Sequence, residues 1–305
     1  MSTKTQMTTD SATLRTLTAR TSVIGEDTTI RRALPHREQK TIGAWCFLDH
    51  VGPAQFAAGK GMHVGAHPHI GLQTFTWMIE GELYHRDSAG HQQIVKPGQV
   101  NLMTAGHGIV HTEDSVQDGA RLHAAQLWIA LPDNERQRAP GFRNYPELPV
   151  VEQDGYRITV LAGSLLAHTS PVEVFTPLCG ADFSSTAAAC TELPLEASFE
   201  YGVLVLQGKA TVNGTELEPG HLAYLPPGSG NLNLSCDAAC RVLLIGGEPL
   251  QEDLLLWWNF VGRNQAELEQ ALQDWNQQSS RFPAVPGSSS ARLEAPALAG
   301  MKLKI

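Results

Sequence analysis

The chain has 305 residues, 42 % of them hydrophobic and 17 % charged, with 28 Gly and 18 Pro. That length suits about two domains, the apolar content excludes a mainly disordered chain, and the Gly and Pro load suits a turn-rich β protein better than a helical bundle. A net charge of −9 repels a phosphate backbone over most of the surface, so no direct nucleic-acid binding is expected.

Residues 1–20 are polar and Thr-rich and lack the apolar segment of a secretory signal. No run approaches 18 apolar residues, so no membrane span is expected. The basic stretch Arg31, Arg32, Arg37 and Lys40, interrupted by Pro35 and Glu38, reads as a solvated loop. From residue 42 to 130 short apolar runs alternate with turn signals: 74–79 before Glu80-Gly81, 93–95 before Pro97-Gly98, 100–103 before Ala105-Gly106, then 122–131. This spacing predicts an all-β sandwich or barrel. Residues 132–147 read as a linker, after which 156–161, 172–176 and 202–206 are predicted strands. Ile79-Glu80-Gly81, Pro97-Gly98 and Gly106-His107-Gly108 in the first half match Leu206-Gln207-Gly208, Pro219-Gly220 and Pro226-Pro227-Gly228 in the second, which predicts duplication of one β fold.

Near the end, Asn264 and Glu267 form a capping-box pattern, and Leu268, Ala271, Leu272 and Trp275 share one face of a predicted helix. The apolar run 254–260 before it is expected to dock between the two β units. The organisation expected is therefore a first domain at 13–135, a second at 145–276 that includes the helix, and a mobile tail at 277–305. The five cysteines include only one close pair, Cys236 and Cys240, which excludes a paired-cysteine zinc site and suits buried thiols in a reducing cytoplasm. The chain is read as a monomer.

Histidine is the unusual residue: ten of the 12 lie between His36 and His123. His67 and His69 stand two apart, so on a strand both face one way. His111 and Glu113 repeat the spacing some forty residues later. Three imidazoles and a carboxylate aimed at one point inside a small barrel suit iron, nickel, manganese, copper or zinc, with positions left open for substrate. His85-Arg86-Asp87 could orient a ligating imidazole or form a turn salt bridge. His63 and His107 are candidate substrate contacts, and Asp49-His50 reads as turn capping. No phosphate loop, GxGxxG fingerprint or Ser-His-Asp order occurs.

These segments resemble the two cupin motifs and, more closely, the pirin family. The resemblance rests on Arg32-Ala-Leu-Pro-His-Arg-Glu38, Phe47-Leu-Asp-His-Val-Gly-Pro53, His67-Pro-His69, Glu82-Leu-Tyr-His-Arg-Asp87, Thr104-Ala-Gly-His-Gly-Ile-Val-His-Thr-Glu113 and Leu122-His-Ala-Ala-Gln-Leu-Trp128. It is strong over about 25–135 and looser to about 275. It implies a bicupin, two tandem cupin-type β-barrels with a C-terminal helix. It also implies one mononuclear divalent metal, iron(II) foremost, with nickel, manganese, copper, cobalt or zinc as alternatives, on His67, His69, His111 and Glu113. The activity implied is that of a quercetin 2,3-dioxygenase acting on a flavonol or related phenol or enediol with O2, with Glu113 as the base. The alternative is a non-enzymatic metal- or redox-sensing protein that binds a regulatory partner, matching the nuclear cofactor role of animal pirins. Gln73 stands where cupins commonly carry Glu, and Ile70 and His107 stand where some pirins carry Arg. In the second repeat the positions matching His67, His69 and His111 are Pro194, Glu196 and Asn231, so no metal is expected there.

Overall fold

The computed structural model describes residues 14–25 and 28–298. The expected polar N-terminal end and the last residues of the expected tail lie outside that range. Two units repeat one plan. In the first, a seven-stranded antiparallel sheet runs in the order Gly141–Tyr145, Val100–Thr104, Leu72–Glu80, Arg121–Ala130, Trp45–Gln55, Thr28–Leu34 and Arg20–Ile24. It faces a four-stranded sheet of His63–His69, Ile109–Ser115, Leu83–Asp87 and Gln92–Val95. In the second, Arg15–Thr18, His221–Leu225, Glu200–Gln207, Cys240–Gly247, Leu178–Ser185, Tyr156–Ala162 and Val150–Gln153 face Ala189–Pro194, Asn231–Cys236, Ala210–Val212 and Thr215–Leu217. The described residues are thus all-β apart from one helix, a pair of cupin-type barrels, as the turn-bounded apolar runs predict.

The large sheets are buried on both faces, which is why their strands read as nearly continuous apolar runs. Along Leu72–Glu80, Leu72 and Met78 point into the first barrel, whereas Phe75 and Trp77 point out against the second. Along Glu200–Gln207, Tyr201, Val203 and Val205 fill the second barrel, and Leu204 and Leu206 meet Phe75 and Trp77 in the shared core. Polar ties cross that interface: Trp45 Nε1 donates to the Cys179 carbonyl at 3.2 Å, and Glu200, held within the second barrel by the Tyr224 hydroxyl at 2.7 Å, accepts from the Gly43 N–H at 2.7 Å.

The chain ends depart from the expected division. Arg15–Thr18, placed in the first domain by sequence, pairs with His221–Leu225 and completes the second barrel's sheet. The expected linker contains Gly141–Tyr145, which pairs with Val100–Thr104 and fills the equivalent edge of the first. The run 172–176 is not a strand; Val172 and Val174 pack into the shared core instead.

The helix, Gln265–Asn276, starts as expected, with the Asn264 side chain accepting from the Glu267 N–H at 3.1 Å. It packs on the first barrel, not on the second and not between the two. Leu268, Ala271 and Trp275, with Leu255, Trp257 and Phe260, cover Ala66, Ile70 and Val110. These last residues alternate with His67, His69 and His111, so the C-terminal segment braces the back of the sheet that carries the histidines. Nor is the described part of the tail loose: Phe282, Val285 and Leu298 are buried in the same cluster. The tail also bonds to the open edge of His63–His69, Ala66 N–H to the Ala291 carbonyl at 2.9 Å and Leu293 N–H to the Ala66 carbonyl at 2.8 Å. Gly65 permits this approach, since a Cβ there would stand 2.5 Å from the Ala291 carbonyl oxygen. Among the described residues no helix is long and apolar enough to cross a membrane.

Candidate metal centre

His67 and His69 come from one strand and His111 from its neighbour, in a register that sets His111 opposite His67. All three are buried. One ring nitrogen from each lies within 4.8 Å of the others, the one such group of His, Cys, Asp or Glu among the described residues. His69 Nε2 and His111 Nε2 stand 3.1 Å apart, and the His67 ring centroid is 4.2 Å from that of His111.

The other nitrogen of each ring is committed elsewhere. His67 Nδ1 donates to the Gly65 carbonyl at 2.8 Å and His69 Nδ1 to the Asn259 carbonyl at 3.1 Å. His111 Nδ1 lies 3.3 Å from His85 Nδ1, and His85 Nε2 lies 3.1 Å from the Asp87 carboxylate. A carboxylate only accepts, so His85 carries its proton on Nε2 and presents a lone pair to His111 Nδ1–H. Burial works against ionisation of Asp87. The bonds from His85 and from the His91 N–H nevertheless hold it below the usual carboxylate range. Burial also lowers the three clustered imidazoles, His67 to about 4 and His69 and His111 well below their ordinary value, so all three are neutral.

With each Nδ1 protonated, each Nε2 offers a lone pair to the shared space. Two lone pairs facing each other 3.1 Å apart with no proton between them, on buried rings, are compensated by a cation. Two nitrogens bound at about 2.1 Å and roughly a right angle stand about 3 Å apart. The donor set therefore fits a divalent transition metal, and tying each Nδ1 to an acceptor fixes the ligating tautomer.

Glu113 lies on the same strand but outside the converging group. The strand's pairing with His63–His69 slips between His111 and Glu113, where Gly65 and Ala66 together oppose Thr112. Its pairing with Leu83–Asp87 is regular and sets Glu113 opposite His85, on the face that carries His111. The carboxylate accepts no hydrogen bond from a described residue. Burial, and secondarily the Asp114 carboxylate, push it up to about 7.

Aromatic rings enclose the cluster. Trp128 meets His69 edge-on at 5.1 Å and stacks on Phe47 at 3.9 Å, and Phe142 stacks on His85 at 4.4 Å. Other sequence candidates lie elsewhere. His63 is exposed and pairs with Asp114 at 3.0 Å, and His107 is exposed with Nδ1 on the Arg138 carbonyl. Gln73 points between the barrels, donating to Thr104 at 3.1 Å and to the Glu173 carbonyl at 3.2 Å. Asp49 and His50 sit inside a strand, not at a turn: Asp49 takes two bonds from Arg32, and His50 Nε2 lies 2.9 Å from His123 Nε2. The sequence carries no signal for Asn259, whose backbone carbonyl does the work 190 positions away.

In the second barrel Pro194, Glu196 and Asn231 are exposed, with Glu196 bonded to Ser198 and Asn231 to Glu192. Its interior is apolar, built around Tyr156, Phe183, Leu193 and Leu232.

One barrel with a three-imidazole centre and one apolar barrel define a bicupin with a single candidate metal site. The chain matches the Pirin family model at residues 27–129 and the Pirin C-terminal cupin domain at 180–283. It is 48 % identical over 283 residues to the "Putative quercetin 2,3-dioxygenase PA1205" of Pseudomonas aeruginosa, covering 93 % of this chain and 90 % of that one. It is 35 % identical over 262 residues to a pirin-like protein of Caulobacter vibrioides, covering 83 % and 90 %. The crystal structure of a quercetin 2,3-dioxygenase from Acinetobacter baumannii superposes with a TM-score of 0.93 at 51 % identity, covering 95 % of this chain and 97 % of that one. The chain belongs to the pirin family.

Proposed function

We propose that this pirin is a metal-dependent dioxygenase of the quercetinase type, with His67, His69 and His111 as metal ligands and Glu113 as fourth ligand or base. The carrying observation is the pair of imidazole lone pairs facing each other in a buried site, each ring held by its Nδ1. The names borne by the Pseudomonas and Acinetobacter relatives support the reaction class. Iron(II) is the metal we favour, because N-rich sites with open positions suit O2 chemistry. A metal held there supplies Lewis-acid stabilisation of a flavonolate and an electron path between it and dioxygen.

The chain's own residues do the rest. Three neutral imidazoles leave coordination positions for the substrate's oxygens. Glu113, with no protein donor, is free to take the 3-hydroxyl proton of the flavonol on a carboxylate oxygen. Trp128 packs edge-on against His69, and Phe142 stacks on His85, whose ring supports His111. Ring opening consumes O2 and releases carbon monoxide. The five cysteines are unbridged, which suits a reducing cytoplasm, where we place the protein, acting as a monomer.

The test is anaerobic loading with iron(II), elemental analysis, then oxygen uptake with quercetin. We expect one metal per chain, quercetin-dependent O2 consumption, and neither metal nor turnover in His111→Ala. An occupied site that turns over no flavonol with iron, nickel, manganese, copper or cobalt would transfer the assignment to redox sensing through a partner.

A further inference from the structure

A cavity of about 460 Å³ opens between the two barrels, within the range of small-molecule sites, which favour such interfaces. One wall is the outer face of the first barrel's large sheet. There Thr21, Arg31 and His50 stand in one row across three adjacent strands. Ile30 and Val51, next to them in sequence, point the other way into the barrel. Arg31, which the sequence places in a solvated loop, therefore stands on a strand and faces the second barrel. The opposite wall is Leu206, Gln207, Gly208 and Pro219. Arg31 is the one ionic side chain among the described residues of the lining, and no carboxylate borders it there.

His50 is only 1 % exposed, yet half of its ring is unsatisfied. Its Nε2 lies 2.9 Å from His123 Nε2, whereas its Nδ1 is buried with no hydrogen-bond partner among the described residues. A buried ring nitrogen left without a partner is costly and points to a group that meets it. Burial first, then His123 and the Arg31 charge, lower the ring to about 3, so it is neutral and carries one proton. When His123 Nε2 donates the proton between the two rings, that proton of His50 sits on Nδ1 and makes it a donor. The Arg31 side chain is exposed and forms no hydrogen bond or ion pair with a described residue; the group that feels its charge is His50. Two donors, one of them cationic, thus border a cavity whose other lining includes the apolar Pro53, Ala54, Leu206 and Pro219.

We infer that this cavity is a second ligand site, separate from the metal centre, for a small organic carboxylate: its oxygens accept from His50 Nδ1–H and the Arg31 guanidinium, and its apolar body lies against Pro53, Leu206 and Pro219. None of His67, His69, His111 or Glu113 lines the cavity. A neutral acceptor would satisfy His50 but leave the guanidinium unused, and charge-assisted hydrogen bonds favour the anion. A single guanidinium beside apolar walls matches a monoanion with a carbon body better than a dianionic phosphate.

The probe is benzoate, titrated by calorimetry against the full-length protein, with benzamide as its uncharged counterpart. We expect saturable binding of one benzoate per chain, at least about tenfold tighter than benzamide and weakening as salt rises. Arg31→Glu changes an exposed side chain and should weaken benzoate at least about tenfold while leaving benzamide unaffected. In the unaltered protein, benzoate should move the imidazole nitrogen resonances of His50, assigned by their disappearance in His50→Gln, and leave those of His67 in place. Stripping the metal with a chelator should not change benzoate affinity, so the site stands or falls independently of the proposed oxygenase activity. The inference is overturned by absence of saturable benzoate binding, by equal affinity for benzamide, by unchanged affinity in Arg31→Glu, by unmoved His50 resonances, or by binding that requires the metal.

Discussion

Glu113 is where ligation and base catalysis part. It shares a strand and a face with His111, yet its carboxylate lies outside the tight imidazole group. Glu113→Gln keeps the shape and a carbonyl oxygen but removes the charge and the basic site. Three imidazoles remain, so the variant should still carry metal. Turnover of quercetin should fall by at least about 100-fold, the loss typical of a missing general base. Raising the pH should restore part of it, because the flavonol then arrives already deprotonated. Metal analysis beside oxygen uptake checks this; a metal-filled variant turning over at the wild-type rate near neutral pH removes Glu113 from the mechanism.

At the scale of elements, the metal strand is held by parts of the chain that sequence assigns to the second domain and to a mobile tail. Its back is covered by Leu255, Phe260, Trp275 and Phe282, and its free edge is bonded through Ala66 to Ala291 and Leu293. Truncation after Gln277 removes Phe282, Val285 and Leu298 from that cover and both edge hydrogen bonds. Each such side chain is worth about 1.5–3 kcal/mol when fully buried. We therefore expect denaturant unfolding to show a loss of at least about 3 kcal/mol. Hydrogen exchange should quicken first in His63–His69. Unchanged exchange in that strand would mean that the tail only decorates the sheet. The swapped Arg15–Thr18 edge does the same for the second barrel, so each unit's completeness depends on an end of the chain remote in sequence.

For the whole molecule, acid sensitivity should be set partly far from the metal. His50 and His123 are buried together. Burial lowers His50 to about 3, helped by His123 and Arg31. Burial lowers His123 to about 4, with Arg241 and Arg121 acting in the same direction and Glu80 opposing. A histidine whose folded pKa is depressed refuses a proton that the unfolded chain accepts below about 6.5. Stability is therefore full above that pH, falls as the pH drops through it, and levels off only below the folded values. From pH 6.5 to 5 one such group costs about 2 kcal/mol. Urea unfolding of metal-free protein at several pH values should show this slope, and His50→Gln with His123→Gln should flatten it. An unaltered slope would place the acid sensitivity wholly in the imidazole cluster, where His67 also sits at about 4.

Short-range regularities were legible in the sequence. The two-residue spacing of His67 and His69, with turn signals on either side, sufficed to put both rings on one strand face, because side-chain alternation is a local property of extended backbone. Residue identity alone set Pro194, Glu196 and Asn231 where the first repeat has its histidines, and the structure leaves all three exposed. The helix start was equally local, an Asn264 side chain reaching the Glu267 N–H. Tertiary structure decided what local patterning cannot carry. It chose Asn259 to hold His69, paired His50 with His123, sent Arg15–Thr18 to the second barrel and laid the tail along the metal strand. A backbone carbonyl or an open sheet edge is the same whatever residue supplies it. Which one is used depends on where apolar faces such as that of Trp257, Phe260 and Trp275 find cover, and that is settled only when the whole chain packs.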